Sequence, residues 1–327
     1  MSRDLDFYDP SADLLARIRE RGGWVNAHSH IDRAYIITEE NFHLSNSTLQ
    51  EKWALPDAFK SKATVDEIYD HMAKAVETMC EQGVQALGSF IDVDPVVKDK
   101  AIQAAQRVRD SFKQDIKIKF INQTTQGVID PEARKWFELG AEFVDIIGGL
   151  PEKDAGHEAE HLDILFEAAK KNGNKMMHVH IDQYGMPDQR DTELLAQKAI
   201  EHDYKNKVVA VHALSVASQP IDYRKQLYGK MKEAGLMVVT CPLAYIASHR
   251  SETMAPIHNS IAPVEEMLAA GLVVAMGSDN IHDIYMPFAD GNMWSEMRVL
   301  LEACYIRDLD ALAAVATTNG LKTLGIE

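Results

Sequence analysis

Short apolar runs rich in β-branched residues alternate with longer amphipathic segments along most of the chain. Eight runs have strand length and turn residues at their borders: "WVNAHSH" (24–30), "ALGSFIDV" (86–93), "IKIKFINQ" (116–123), "FVDIIGGL" (143–150), "KMMHVHI" (175–181), "VVAVHAL" (208–214), "LMVVTCPLA" (236–244) and "LVVAMGSD" (272–279). Between them, "TVDEIYDHMAKAVETMCEQG", "PVVKDKAIQAAQRVRDSF", "HEAEHLDILFEAAKKNG" and "DTELLAQKAIEH" are helical stretches, several of them closed by the Gly or Asn that ends helices. The near-continuous apolarity of the runs fits a parallel sheet buried on both faces, which a doubly wound two-domain protein would share. Eight β–α units in 327 residues decide for an α/β fold of the (β/α)8 TIM-like barrel type, one domain over 1–327. "PSADLLARIRERGG" reads as an amphipathic helix able to cap the bottom of the barrel. The long irregular segment 33–63 after the first run is expected to be a lid-like insertion or to hide short helices.

Composition narrows the function. With 46% hydrophobic and 26% charged residues the chain can bury a large core. A net charge of −16 without any basic run argues against nucleic acid or an anionic membrane as partner. Cys80, Cys241 and Cys304 are scattered and form no CxxC, so neither a disulfide framework nor a cysteine metal site is expected and a reducing compartment is. The charged start "MSRDLDFYDP" and the lack of a long apolar stretch make cytoplasmic localisation the expectation.

In such a barrel chemistry sits at the C-terminal strand ends, and here those ends are polar. The first run ends in His28 and His30, which as i and i+2 on a strand share one face about 6.5–7 Å apart. A pair alone is equally an ordinary pair of buried histidines, so ligands elsewhere must decide. The third run leads into "NQTTQG" with Gln126, the fifth holds His178 and His180 followed by Asp182 and Gln183, the sixth has His212, and the eighth ends in Asp279 and Asn280. His71, His157, His161 and His202 fall in helical segments, where solvated or capping roles are expected. Three histidines with an aspartate suit one divalent zinc or iron ion, whereas an all-oxygen set would suit magnesium or calcium. Such an ion lowers the pKa of a bound water enough to supply hydroxide near neutral pH.

HxH on strand one, His on strands five and six and Asp on strand eight resemble the amidohydrolase superfamily, and most nearly its cytosine deaminase-like branch. "HSHIDR" resembles the branch's HxHLDK, "STLQEKWALPDAFKSKATVDEI" its lid region, "FINQTTQGVI" its substrate-glutamine segment and "ATTNGLKTLGI" its closing helix. The resemblance implies His28, His30, His180 and Asp279 as metal ligands and His212 as the group that polarises the scissile centre. It also implies Asp279 as proton acceptor and Gln126 as a substrate contact. The bridging lysine of binuclear members is absent from "DIIGGLP", so one ion is expected. Homo-oligomerisation is common in the superfamily, and the flanking β-sandwich of most of the branch has no room in the chain, so a barrel without it is expected.

Two positions depart from the deaminase pattern. Gln183 stands where a proton-shuttling glutamate is usual, and a carboxamide does not titrate near neutral pH. Asn280 replaces a second aspartate. The readings are therefore hydrolysis of an amide, cyclic-amide or amino C–N bond of a small nitrogen heterocycle by attack of metal-bound hydroxide, or deamination with Asp182 or another group in place of the acid. Gln183 is then a natural or an engineered replacement of Glu. A metal-dependent decarboxylase and a non-catalytic barrel are the rivals. At the pocket rim, Arg33 and Arg250 suit an anionic or carbonyl-rich substrate and Trp53 a planar ring, with His249, His282, Asp283 and Tyr285 nearby and Gln183 and Asn280 among the groups that orient it.

Overall fold

Residues 8–52, 55–123, 125–246 and 261–327 are described by the structure, a computed structural model. The strands are β1 Trp24–Ser29, β2 Val84–Asp92, β3 Lys117–Gln123, β4 Ile147–Gly149, β5 Met177–Ile181, β6 Val208–His212, β7 Met237–Thr240 and β8 Val274–Met276. All pair in parallel, β1-β2-β3 in one sheet and β4-β5-β6-β7-β8 in another. Isolated bridges from Ile121 to Ile146 and from Ser29 to Asp279 join the two sheets at both seams, so the strands form a ring. Seven strands are buried almost along their whole length; only the start of β3 reaches solvent. Burial on both faces is why the runs are apolar throughout instead of alternating.

Close approach at the seams depends on glycine. A Cβ on Gly277 would lie 2.6 Å from the carbonyl oxygen of His28, and one on Gly148 would lie 2.0 Å from that of Asn122. Side chains there would hold β8 off β1 and β4 off β3.

Several runs are longer than the strands they contain. The run 143–150 yields only Ile147–Gly149, because Phe143 still belongs to the helix Pro131–Phe143. The run 236–244 stops at Thr240, because Pro242 opens the helix Pro242–Ile246, a position where its missing N–H costs nothing. The helix Pro10–Glu20 packs on the helix Leu309–Ala316, with Arg17 and Arg21 2.8 and 2.9 Å from Asp310. The insertion 33–63 holds the short helices Leu49–Lys52 and Pro56–Lys62. Lys60 pins the second of these to the barrel: its buried ammonium lies 3.3 Å from Asp92, the last residue of β2, and 2.6 Å from Asp94 just beyond it. No helix among the described residues is long and apolar enough to cross a membrane.

Candidate metal centre and active site

The strand ends place five ligating side chains together. His28 and His30 come from the end of β1, His180 from β5, His212 from the last position of β6 and Asp279 from just beyond β8. The ligand atoms of His28, His30 and His180 all lie within 4.8 Å of one another, as do those of His28, His212 and Asp279. Asp279 Oδ1 is 3.4 Å from Nε2 of both His28 and His30, and the Nε2 atoms of His30 and His180 are 3.3 Å apart. Backbone geometry aims two of these groups. His212 and Asp279 adopt φ of 79° and 58°, a left-handed conformation unusual for residues with a Cβ and one that clusters at functional sites.

All five are buried. Burial holds the four imidazoles well below the usual histidine range, and the Arg33 guanidinium adds to that for His28, His30 and His180. They are therefore neutral, the form that ligates. Burial raises the Asp279 carboxyl, opposed first by His212 and then by Arg33. Phe90 of β2 packs beneath, its ring centroid 4.4 Å from that of His180 and 5.1 Å from that of His28. Sequence patterning gave no reason to single it out from other core phenylalanines.

The donor set fits a metal ion. Both ring nitrogens of His28 and the Nδ1 atoms of His30, His180 and His212 are buried with no hydrogen-bond partner among the described residues. Orphaned buried polar atoms are costly, and the unpaired Nε2 of His28, 3.4 Å from Asp279 Oδ1, lies where an ion would take its lone pair. His178 is different. Its Nε2 donates to the Thr323 carbonyl at 2.8 Å, which ties β5 to the helix Thr318–Thr323 and leaves it outside the cluster. His161 is also buried, not solvated: it bonds Asp154 at 2.7 Å and takes the Leu150 N–H.

The other expected site residues fare variously. Gln126 is exposed and donates to Asp57 at 3.1 Å, whereas Gln123, the last residue of β3, is buried with its Oε1 unpaired among the described residues. Its place on the strand, just before the "TTQG" turn, was the feature that could have drawn attention to Gln123. Arg33 is not a rim cation. It is 5% exposed, its Nη1 3.1 Å from Asp92 and its Nε 3.9 Å from Asp283, with Cζ 5.3 Å from the Tyr285 ring centroid. Its charge is thereby neutralised inside the protein rather than offered to a substrate. Asn280 donates to Asp283, which in turn accepts from the Tyr285 and Met286 N–H groups at 2.9 Å. Trp53, His249 and Arg250 lie outside the described residues.

Asp182 is not a stand-in for the missing acid. Its carboxylate accepts from the Asp191 N–H at 2.8 Å and from the Thr192 N–H and hydroxyl at 3.2 and 2.5 Å, capping the start of the helix Asp191–Glu201. The carboxylate beside Gln183 is Glu152, from the loop after β4, and no motif announced it.

A ring of eight parallel strands with histidine and aspartate ligands at its strand ends defines a hydrolase barrel built around a metal site. The chain belongs to the amidohydrolase family, whose model matches residues 23–327. It is 47% identical over 257 residues to an uncharacterised protein of Haemophilus influenzae, covering 77% of this chain and 92% of that protein. It is 29% identical over 317 residues to the N-isopropylammelide isopropyl amidohydrolase of Pseudomonas sp. strain ADP, 93% of this chain and 74% of the relative. The structure of 5-methylcytosine deaminase from Klebsiella pneumoniae liganded with phosphonocytosine superposes with a TM-score of 0.86 at 24% identity, over 92% of this chain and 75% of that one. That likeness concerns the fold.

Proposed function

We propose that the protein hydrolyses an exocyclic or ring C–N bond of a small oxo- and amino-substituted nitrogen heterocycle, using one divalent zinc or iron ion. The observation that carries this is the convergence of five buried ligating groups at the strand ends. The relative named for an N-isopropylammelide isopropyl amidohydrolase activity supports the substrate class. His28, His30, His180 and Asp279 hold the ion, which supplies Lewis acidity and brings the pKa of water towards neutrality. Asp279, whose Oδ1 lies 3.4 Å from both strand-one histidines, takes a proton from the attacking water and passes it to the departing amine. His212, neutral and in reach of the same centre, hydrogen-bonds the reacting oxygen as charge builds on it. Gln123 and Gln183 orient the ring. The net charge of −16 disfavours nucleic acid as partner, the scattered cysteines suit the cytoplasm, and a homo-oligomer is the expected assembly.

Elemental analysis paired with amine-release assays on amino- and alkylamino-substituted pyrimidines and triazines tests the reading. About one equivalent of zinc or iron is expected, with turnover of at least one ring. His30→Ala and Asp279→Ala should lose both the metal and the turnover. Full turnover by metal-stripped protein would overturn the reading.

A further inference from the structure

We propose that Glu152 is a positioning residue that locks the Gln183 carboxamide so that its oxygen faces the substrate, and that the site therefore selects rings carrying an N–H donor beside the scissile carbon. This rests on the function proposed above and adds the hydrogen-bond polarity of the substrate.

The orientation is set from the backbone N–H of Tyr184 outward. The backbone N–H of Tyr184 donates to Gln189 Oε1 at 3.0 Å, and the Ser215 hydroxyl donates to the same oxygen at 2.6 Å. Gln189 must therefore turn its NH2 outward, and Nε2 donates to Glu152 Oε1 at 2.6 Å. The backbone N–H of Gln183 donates to that same oxygen at 2.9 Å. With two donors converging on Oε1, the remaining carboxylate oxygen, Oε2, meets the Gln183 side chain at 2.6 Å. An ionised carboxylate only accepts, so the atom facing it is the NH2 of Gln183. Gln183 Oε1 makes no hydrogen bond among the described residues. Gln183 is half-buried and stands three residues beyond His180 at the C-terminal end of β5.

A glutamate at position 183 would trade a proton with a ring nitrogen. A carboxamide held in this way cannot; it can only accept, so the ring must arrive with its own proton at that nitrogen, as in a lactam tautomer. Burial raises the Glu152 carboxyl to about 7, and the three hydrogen bonds oppose that. Asp182, Tyr184 and Tyr245 are the titratable groups that act electrostatically with it. Above that pH the carboxylate is ionised and the lock is set.

Glu152→Gln reverses the lock without changing the shape. Oxygen must remain where the Gln183 N–H and the Gln189 NH2 converge, so the new NH2 falls at the Oε2 position. It then donates to Gln183, whose own NH2 turns to the substrate. Two matched rings read the polarity by calorimetry on the metal-loaded protein at pH 8. Uracil carries a proton on the ring nitrogen beside its carbonyl, and 4-methoxypyrimidin-2-one has the same nitrogen bare. The native chain should bind uracil about tenfold more tightly than the methoxy ring, the worth of one well-made hydrogen bond against an unpaired one. Glu152→Gln should remove or invert that ratio while retaining its metal. Equal affinity for the two rings in the native chain overturns the proposal without any variant, as does binding of neither. An unchanged ratio in a folded, metal-loaded Glu152→Gln protein overturns it too. The tenfold preference together with no amine release from any ring supports the polarity and refutes the hydrolytic reading instead.

Discussion

Glu152 carries its proton to an unusually high pH for a carboxyl group because it is buried and accepts from amides, not from cations. Its folded pKa, about 7, stands above the ordinary value of 4.5. The folded chain thus binds that proton more tightly than the unfolded chain between those values. The stability gained is complete below the unfolded pKa and is lost as the pH rises through the folded one. Gln at 152 does not titrate. The stability of the native chain relative to Glu152→Gln, from urea melts with equal metal loading, should therefore fall as the pH is raised from about 4.5 to about 7. Asp182, also raised, interacts with Glu152 and adds to the difference with the same sign, since removing the Glu152 charge eases its ionisation. A flat difference across that range would place Glu152 among ordinary ionised carboxylates.

At the scale of elements, the connection between insertion and barrel is a buried charge cluster. Lys60, 3% exposed, lies 2.9 Å from Asp57, 3.3 Å from Asp92 and 2.6 Å from Asp94, while Arg33 holds the other side of Asp92. Removing one partner of such a cluster leaves the others charged and desolvated, at a cost of about 3–5 kcal/mol. Lys60→Met should lose about that much in denaturant melts, and protease should cut first near the helix Pro56–Lys62. A loss below about 1 kcal/mol would mean the cluster is solvated. What was legible in the sequence divides along this line. All eight strands were readable because two-sided burial writes itself as apolar runs, and the histidines were readable because polar residues interrupt those runs at their ends. Strand lengths were not, since Pro242 and the helix ending at Phe143 trim runs that remain apolar for packing reasons. Contacts between loops were not legible either. Gln126 in a turn was singled out and Gln123 on the strand passed over, Arg33 looked available, and nothing local tied Glu152 to Gln183 across 31 positions.

For the molecule as a whole, the ring closes at the point where the ligands gather. The backbone seam between β1 and β8 includes the Ser29–Asp279 bridge and two hydrogen bonds, His30 N to Asp279 O at 3.3 Å and Asp279 N to His28 O at 3.0 Å. Each of these residues is a ligand or the neighbour of one. An ion held by His28, His30, His180 and Asp279 would tie β1, β5 and the end of β8 together across the barrel axis and reinforce that seam. Unfolding must separate all those strands, so metal bound to the folded state alone stabilises it by mass action, by about 2.7 kcal/mol at a free concentration a hundred times Kd. Chelation should accordingly lower Tm by several degrees, and zinc or iron should restore it. His30→Ala should melt at a temperature indifferent to either treatment. Because the ligands belong to strands distant in sequence, the loss should appear across the whole transition, with secondary and tertiary signals moving together. A metal-dependent change confined to local fluorescence near Trp24, with Tm fixed, would show instead that the ion serves chemistry without holding the ring shut.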